Sequence, residues 1–136
     1  MHIFPVGSRP TKRAPAEYFT GTVWQDPIIS APDPARLNAL VVHFEPGART
    51  AWHTHPFGQT LFVTHGSGLV CLRGADPRRI QAGDTVWIPP DIEHWHGASP
   101  TTVMTHIAMQ EAKDGAAATW LDHVTEADYT SPTSLG

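Results

Sequence analysis

The chain is poor in features that would assign it to several large classes of protein. It has one cysteine, Cys71, so an internal disulfide is excluded, and the alternating apolar segment GLVCLRG predicts a small buried thiol. Lysine and arginine total nine, are not clustered beyond Arg78 and Arg79, and leave a formal net charge of -4. Without a basic patch, neither nucleic acid nor an anionic membrane surface is an expected partner.

Long apolar runs are also missing. No stretch approaches the about 20 apolar residues needed to span a bilayer. The first segment, MHIFPVGSRPTKRAP, lacks the apolar centre of a signal peptide. We therefore expect a cytoplasmic protein with no membrane partner.

Proline and glycine are plentiful by contrast. Thirteen Pro and eleven Gly divide the chain into short segments, which is typical of strands and turns and not of a helical bundle. A length of 136 residues with 40% hydrophobic content suits one domain with one core. The composition predicts a single all-β domain.

The segments can be assigned along the chain. Residues 1–16 are rich in proline and basic side chains and are expected to form an N-terminal arm that lies across another surface or subunit, leaving 17–136 as the domain. YFTGTVW predicts a strand, and the following DPIISAPDPAR, with its three prolines, predicts a loop.

Alternating apolar residues predict the later strands. Leu40, Val42 and Phe44 share one parity, which indicates a strand with a buried face. Short strands are predicted in AWHTHPFGQTLFVTHGSG, LVCLRG, RRIQAGDTVWIPP, HWHGASP and TVMTHIAMQE, separated by Gly, Pro and Asp turns, as in a sandwich or barrel. WLDHVTEADY predicts one helical turn, with Thr125 as its cap and Asp128 three residues later.

Histidine is unusually frequent, with nine in the chain. His53 and His55 are two residues apart, so on a strand both imidazoles leave the same face, as sharing a metal ion requires. Gln59 has the same parity, and His94 arrives from a distant segment that a closed barrel brings opposite. These four residues are a candidate ligand set for one divalent metal ion.

The spacing around these residues resembles the two motifs of the cupin family. Gly47-(x)5-His53-x-His55-(x)3-Gln59-(x)6-Gly66 is similar to the first motif, covering residues 47–66, with Gln in place of the usual Glu.

A second pattern, in residues 83–98, resembles the second cupin motif: Gly83-(x)5-Pro89-x-Asp91-(x)2-His94. Here Asp91 stands where that motif has Gly, and Ala98 where it often has Asn. Asp is tolerated there because it can adopt the left-handed backbone region.

Three longer segments, EPGARTAWHTHPFGQTLFVTHG, HWHGASPTTVMTHIAMQE and WLDHVTEADY, resemble small bacterial cupins that include manganese-dependent hydroxynitrile lyases. The resemblance implies a single-domain jelly-roll barrel and a metal held by three His and one Gln. It also implies reversible cleavage of a cyanohydrin into an aldehyde and hydrogen cyanide, and a homo-oligomer of two or four chains. Manganese rests on the resemblance, since iron, zinc, nickel or cobalt also suits such ligands.

The neutral ligand set has chemical consequences. With Gln in place of a carboxylate, the charge of a bound dication is undiminished, which favours anionic ligands such as cyanide and redox-neutral chemistry. Two other classes of function stay open: another metal-dependent cupin enzyme, a dioxygenase or an isomerase, and a non-catalytic cupin that binds a small molecule.

Cyanohydrin cleavage also needs a base for the hydroxyl proton. His106, among the apolar residues of TVMTHIAMQE, is the first candidate and His96, which shares parity with His94, the second; a structural imidazole is the alternative for each. Thr50 is expected to hydrogen-bond the substrate. An apolar pocket wall is expected, with filling of the barrel core as the alternative for each member: Leu40, Val42, Phe44, Phe57, Leu61, Met104 and Ala108.

Overall fold

Twelve strands and one short helix make up residues 1–132, the part of the chain that the computed structural model describes. The strands are β1 Lys12–Arg13, β2 Phe19–Thr20, β3 Val23–Ser30, β4 Leu37–Phe44, β5 Arg49–Thr50, β6 His53–Thr54, β7 Gln59–Leu72, β8 Arg78–Gln81, β9 Thr85–Ile88, β10 His94–Ala98, β11 Met104–Glu111 and β12 Thr119–Trp120; the helix is α1 Glu126–Tyr129. The predicted all-β class is confirmed.

All strand pairs are antiparallel and form one curled sheet. Its main order is β1-β3-β4-β11-β7-β10-β5-β2, with β8 and β9 paired to β7, β6 to β10 and β12 to β6. The first part of β7 pairs with β11 and the last part with β10. One strand therefore belongs to both halves of the predicted jelly-roll barrel.

The continuity of β7 corrects one prediction. A turn is predicted near Gly66, yet the strand runs through it from Gln59 to Leu72. Gly66 adopts a φ of 73°, and a side chain there would collide with the main-chain oxygen of Val103. Glycine thus lets the strand bend between the two halves of the sheet without ending.

The loop predicted for DPIISAPDPAR is also partly wrong, because β3 continues to Ser30. Pro27 fits within β3 because the register to β4 shifts between Pro27 and Ile29, and a bulge accommodates a residue without an N–H. Within this segment, only residues 31–36 lie outside a strand.

The predicted N-terminal arm contributes the edge strand β1. Lys12 and Arg13 pair with Gln25 and Trp24 of the same barrel, and Ala14 is buried. The arm therefore covers part of its own barrel, and contact with another subunit stays a prediction.

The core lies between the two halves of the sheet and includes the predicted inward-facing Val42 and Phe44. A second cluster packs Tyr129 of α1 against Trp52, Cys71 and Trp95, so the predicted burial of the thiol is confirmed. Thr125 caps α1, since its Oγ1 accepts from the main-chain nitrogen of Asp128, as predicted.

Within residues 1–132, no helix has the length and apolar character needed to cross a membrane.

Candidate metal centre

The four predicted ligands lie together inside the barrel. His53 opens β6, His94 opens β10, and the two residues face each other across the antiparallel pair; Gln59 opens β7, and His55 lies between β6 and β7. All four are buried. The ring centroids of His53 and His94 are 4.2 Å apart and those of His53 and His55 are 4.9 Å apart.

Main-chain carbonyls fix the protons of two of these imidazoles. His53 Nδ1 lies 2.9 Å from the oxygen of Ala51, and His94 Nδ1 lies 2.9 Å from the oxygen of Ile92. Because a carbonyl oxygen only accepts, each Nδ1 must donate, and in the neutral ring Nε2 keeps its lone pair.

His55 is held in the same way, with Nδ1 2.7 Å from the oxygen of Ala117. Its Nε2 is buried and has no hydrogen-bond partner among the described residues. A lone pair that is neither paired nor solvated is costly to bury, and a metal ion is one partner that would satisfy it.

The contact between Gln59 and His94 tests whether these residues suit a cation. Gln59 Oε1 lies 3.1 Å from His94 Nε2, while Gln59 Nε2 donates to Gln110 Oε1 at 2.9 Å. Two acceptor atoms thus face each other unless a cation lies between them. Burial lowers the pKa of His94 to about 4, so near neutral pH a proton does not fill this role. The donor set fits a divalent metal ion.

His96 joins the same group of nitrogen atoms. Ligand atoms of His53, His94 and His96 all lie within 4.8 Å of one another, whereas His55 is not in that trio. His96 Nε2 is also buried without a partner in the described chain. The structure therefore offers two imidazoles, His55 and His96, beside the pair formed by His53 and His94.

The partner of His96 differs from the partners of the other imidazoles. His96 Nδ1 lies 2.9 Å from His106 Nε2, and either ring can donate in such a pair. Burial lowers the pKa of both rings, for His106 to about 4. His96 lines the neighbouring cavity and His106 does not, so His106 lies behind His96 as seen from the cavity.

The cavity beside these imidazoles has a volume of about 300 Å³. It is lined by Phe19, Gln25, Asn38, Leu40, Val42, Thr50, His53, His55, Gln59, His96, Ala108, Gln110, Ala117, Ala118 and Trp120. Among the described residues no carboxylate lines it, so nothing in the wall offsets the charge of a cation. Such a cavity favours a small apolar ligand with an anionic or developing anionic group.

The predicted pocket wall is only partly present in this lining. Leu40, Val42 and Ala108 line the cavity, whereas Phe44, Leu61 and Met104 belong to the hydrophobic core and do not line the cavity. Parity places these side chains inside the barrel but does not say at which depth.

Phe57 is also absent from the lining, and its side chain is partly exposed. It lies in the turn between β6 and β7, where strand alternation does not apply.

Aromatic residues outside the two motifs complete the wall. Trp120 of β12 stacks on His53, with ring centroids 4.6 Å apart, and Phe19 of β2 packs beside it at 5.7 Å. The sequence did not predict that Trp120 and Phe19 line the site. Both reach it through the pairing of their strands with distant strands, and their only local signal is a place in an apolar segment.

Thr50 lies at the cavity wall, and its hydrogen bond to a substrate stays a prediction. Its side chain is buried and its Oγ1 accepts from the main-chain nitrogen of His96 at 3.2 Å. The hydroxyl hydrogen is therefore free to be donated toward the cavity.

Comparisons with known proteins agree with this architecture. The Cupin domain family matches residues 40–107. An (R)-mandelonitrile lyase from Granulicella tundricola is 54% identical over 129 residues, which is 95% of this chain and 98% of the relative.

Two solved structures illustrate the fold. A cupin-like protein from Thermotoga maritima is 39% identical with a TM-score of 0.84 and full coverage of both chains. A cupin-2 domain from Rhodospirillum rubrum is 16% identical with a TM-score of 0.68, covering 93% of this chain and 82% of that chain. The family profile, the close relative and the shared barrel together establish that the chain belongs to the cupin family.

Proposed function

We propose that this chain is a metal-dependent hydroxynitrile lyase that cleaves (R)-mandelonitrile or a similar cyanohydrin into an aldehyde and hydrogen cyanide. The observation that carries the proposal is the 54% identity to an (R)-mandelonitrile lyase over 95% of the chain. The buried imidazole group beside an apolar cavity supports it, because cyanohydrin cleavage needs a base and a site for a developing anion.

His53, His55, Gln59 and His94 are the residues proposed to hold the ion. In each of the three imidazoles, Nδ1 donates to a different main-chain oxygen. This keeps each Nε2 available as a ligand. A bound divalent ion, of which manganese is the first to test, would act as a Lewis acid that stabilises the negative charge of the departing cyanide.

The apolar part of the cavity positions the substrate. Leu40, Val42 and Trp120 provide a surface for an aromatic or aliphatic aldehyde, and a volume of about 300 Å³ is at the small end of ligand pockets. Thr50 donates a hydrogen bond to the substrate oxygen and holds it beside His96.

His96 is the proposed base, in place of His106, because only His96 lines the cavity. Its Nε2 takes the hydroxyl proton, and the electron pair left on oxygen forms the carbonyl bond as the bond to the nitrile carbon breaks with its electron pair on cyanide. His96 then gives the proton to cyanide to form hydrogen cyanide.

His106 acts through His96. During the transfer His96 is cationic, and its Nδ1–H donates to His106 Nε2, which lies 2.9 Å away. His106 therefore stabilises the protonated form of the base and holds its ring in place.

The test is cleavage of (R)- and (S)-mandelonitrile by manganese-loaded protein at mildly acidic pH, followed by the absorbance of benzaldehyde. The metal-free protein is expected to lose turnover. His96→Gln is expected to keep the metal and lose about 10²- to 10⁴-fold in kcat, and His106→Leu to lose less and to shift the pH profile of kcat. His65→Gln, at an exposed histidine, is the control.

Two outcomes contradict parts of the proposal. If His106→Leu loses more turnover than His96→Gln, His106 is the base. If the loaded wild-type protein has no turnover above background, the lyase assignment fails; oxygen consumption with iron would then point to a dioxygenase, and thermal stabilisation by a ligand without turnover to a binding protein.

Homo-oligomerisation and a cytoplasmic location stay predictions from the sequence. Sedimentation of the purified chain measures the first, and cell fractionation the second.

A further inference from the structure

We propose that Gln110 and Asn38 are positioning residues that fix the carboxamide of Gln59 with its oxygen toward the imidazoles, and that this arrangement favours a neutral amide over a carboxylate at position 59. The inference rests on the proposed function only in taking Gln59 as a ligand of the metal ion. We call the three residues the amide relay.

The relay lies in one row across three neighbouring strands. Gln110 of β11 is directly opposite Asn38 of β4 on one side and Gln59 of β7 on the other. The backbone register therefore sets the order of the three side chains, and the two side-chain amides of Gln59 and Gln110 are buried.

The orientation of the relay starts at the main chain of Asn38. Gln110 Nε2 lies 3.2 Å from the main-chain oxygen of Asn38 and 2.6 Å from its Oδ1. A main-chain oxygen can only accept, so the Gln110 atom that faces it must be the amide nitrogen. Gln110 Oε1 consequently points the other way, toward Gln59.

The same constraint passes to Gln59. Gln110 Oε1 lies 2.9 Å from the Gln59 amide nitrogen, and because this oxygen cannot donate, Gln59 must present its nitrogen there. Gln59 Oε1 is then left 3.1 Å from His94 Nε2. Turning over either amide would bury two like groups against each other, a loss of about 1–3 kcal/mol for each unpaired group.

A carboxylate at position 59 would conflict with this relay. Both oxygens of Glu accept, so one of them would face Gln110 Oε1 without a proton between them. Gln110 cannot turn over to donate, because its oxygen would then meet the main-chain oxygen of Asn38. The relay thus accounts for Gln at the position where the first cupin motif usually has Glu.

The direct test is metal affinity, measured by titrating metal-free protein with Mn²⁺ and reading free Mn²⁺ by electron paramagnetic resonance. Gln110→Leu leaves Gln59 without its acceptor and is expected to weaken binding about 10- to 100-fold. Gln25→Leu is the matched control, because Gln25 lines the same cavity but within residues 1–132 has no hydrogen bond to the relay. Circular dichroism verifies that both variants fold. Equal affinity of Gln110→Leu and wild type would overturn the proposal.

A second measurement does not depend on metal or turnover. In metal-free protein, the side-chain NH₂ of Gln59, assigned by its loss in Gln59→Glu, is expected to exchange slowly with solvent and to exchange faster in Gln110→Leu. Weakened binding together with an inactive wild-type protein would keep the relay and remove the lyase assignment. If the protein is active and Gln110→Leu changes neither the Mn²⁺ affinity nor the amide exchange rate, the lyase assignment is kept and the relay is rejected.

The preference for an amide at position 59 has its own test in a double-mutant cycle. Gln59→Glu adds a negative charge that attracts the ion and so raises metal affinity. When Gln110 is present, the contact of its Oε1 with a carboxylate oxygen is unfavourable and reduces this gain. The gain in Mn²⁺ affinity from Gln59→Glu is expected to be at least about tenfold larger in the Gln110→Leu background than in the wild-type background. Additive effects would contradict the preference.

Discussion

Two groups of buried imidazoles lie within one small barrel, and they differ in the hydrogen-bond partners of their rings. In the first group, His53, His55 and His94 each face a main-chain oxygen. In the second, His96 and His106 face each other. Burial lowers the pKa in both groups, so the surroundings alone do not separate them.

The partner separates them. A carbonyl oxygen accepts and cannot release a proton, so a ring bonded to it keeps one fixed tautomer, as a metal ligand needs. A second imidazole can either donate or accept, so a ring bonded to it is not restricted to one tautomer, and this distinguishes His96 from the three rings that face main-chain oxygens. Residue type and burial are therefore a poorer guide to role here than the chemistry of the neighbour.

The strongest test compares two histidines of β10. His94→Ala is expected to lower Mn²⁺ affinity by more than the about 100-fold that follows from losing a residue that only supports a ligand. His96→Ala is expected to keep the bound metal. Elemental analysis after dialysis against a fixed Mn²⁺ concentration measures both, with His65→Ala as the control. Equal metal loss in the two variants would make His96 a ligand and end the distinction between the groups.

An intermediate effect is expected on the pH dependence of stability of the metal-free protein. His94 and His106 have a pKa of about 4 in the folded state, against about 6.5 when unfolded. The unfolded chain therefore binds more protons between these values, so stability is full above about pH 6.5, falls as the pH drops, and levels off near pH 4. Each group contributes up to about 1.4 kcal/mol per pH unit.

Urea unfolding at pH 7, 6, 5 and 4.5 measures this slope, and His106→Leu is expected to reduce it. The same free energy of unfolding at pH 7 and pH 5 would contradict the neutral, buried state of both groups. Bound Mn²⁺ is expected to steepen the dependence, since protons compete for the same nitrogen lone pairs.

The smallest effect on metal affinity is expected when the main-chain oxygen that accepts from His55, that of Ala117, is held less rigidly. Ala117 follows a turn in which Lys113 and Ala116 are bonded to each other, and Gly115 has a φ of 83° with open space around it. Gly115→Ala strains this turn by about 1 kcal/mol and is expected to weaken metal binding by at most about fivefold.

Gly7→Ala is the matched control, because Gly7 has a φ of 81° and open space as well but lies in the N-terminal arm. It is expected to leave Mn²⁺ affinity unchanged. A similar loss of affinity in both variants would show that the effect is not transmitted through Ala117.

Much of the fold could be predicted because its signals are local. Alternation in TVMTHIAMQE, the turn residues and the cap at Thr125 each act over a few positions, and the structure has the corresponding elements. The predicted ligands also came together, although His55 lies just after the end of β6 and not on the predicted strand, because the spacing of the two cupin motifs places all four.

What could not be predicted depends on register between distant strands. Parity places His96 and His106 inside the barrel, but their depths follow from how β10 and β11 pair with β7. In the same way, Pro27 favoured the prediction of a loop. The bulge that accommodates this proline within a strand forms only where β3 pairs with β4, so no local pattern indicates it. Trp120 reaches the cavity through its pairing with His53, which no local pattern indicates.

The main-chain oxygens that hold the three histidines proposed as ligands also bear on how the sequence can vary over evolution. The oxygens of Ala51, Ile92 and Ala117 accept a proton whatever side chains their residues carry. Ile92 is exposed and Ala117 lines the cavity, so these two positions can vary among residues that keep the local backbone while the tautomers stay the same, whereas Ala51 is fully buried. Substitution at Ala117 can therefore remodel the wall of the cavity without changing the orientation of the proposed metal ligands.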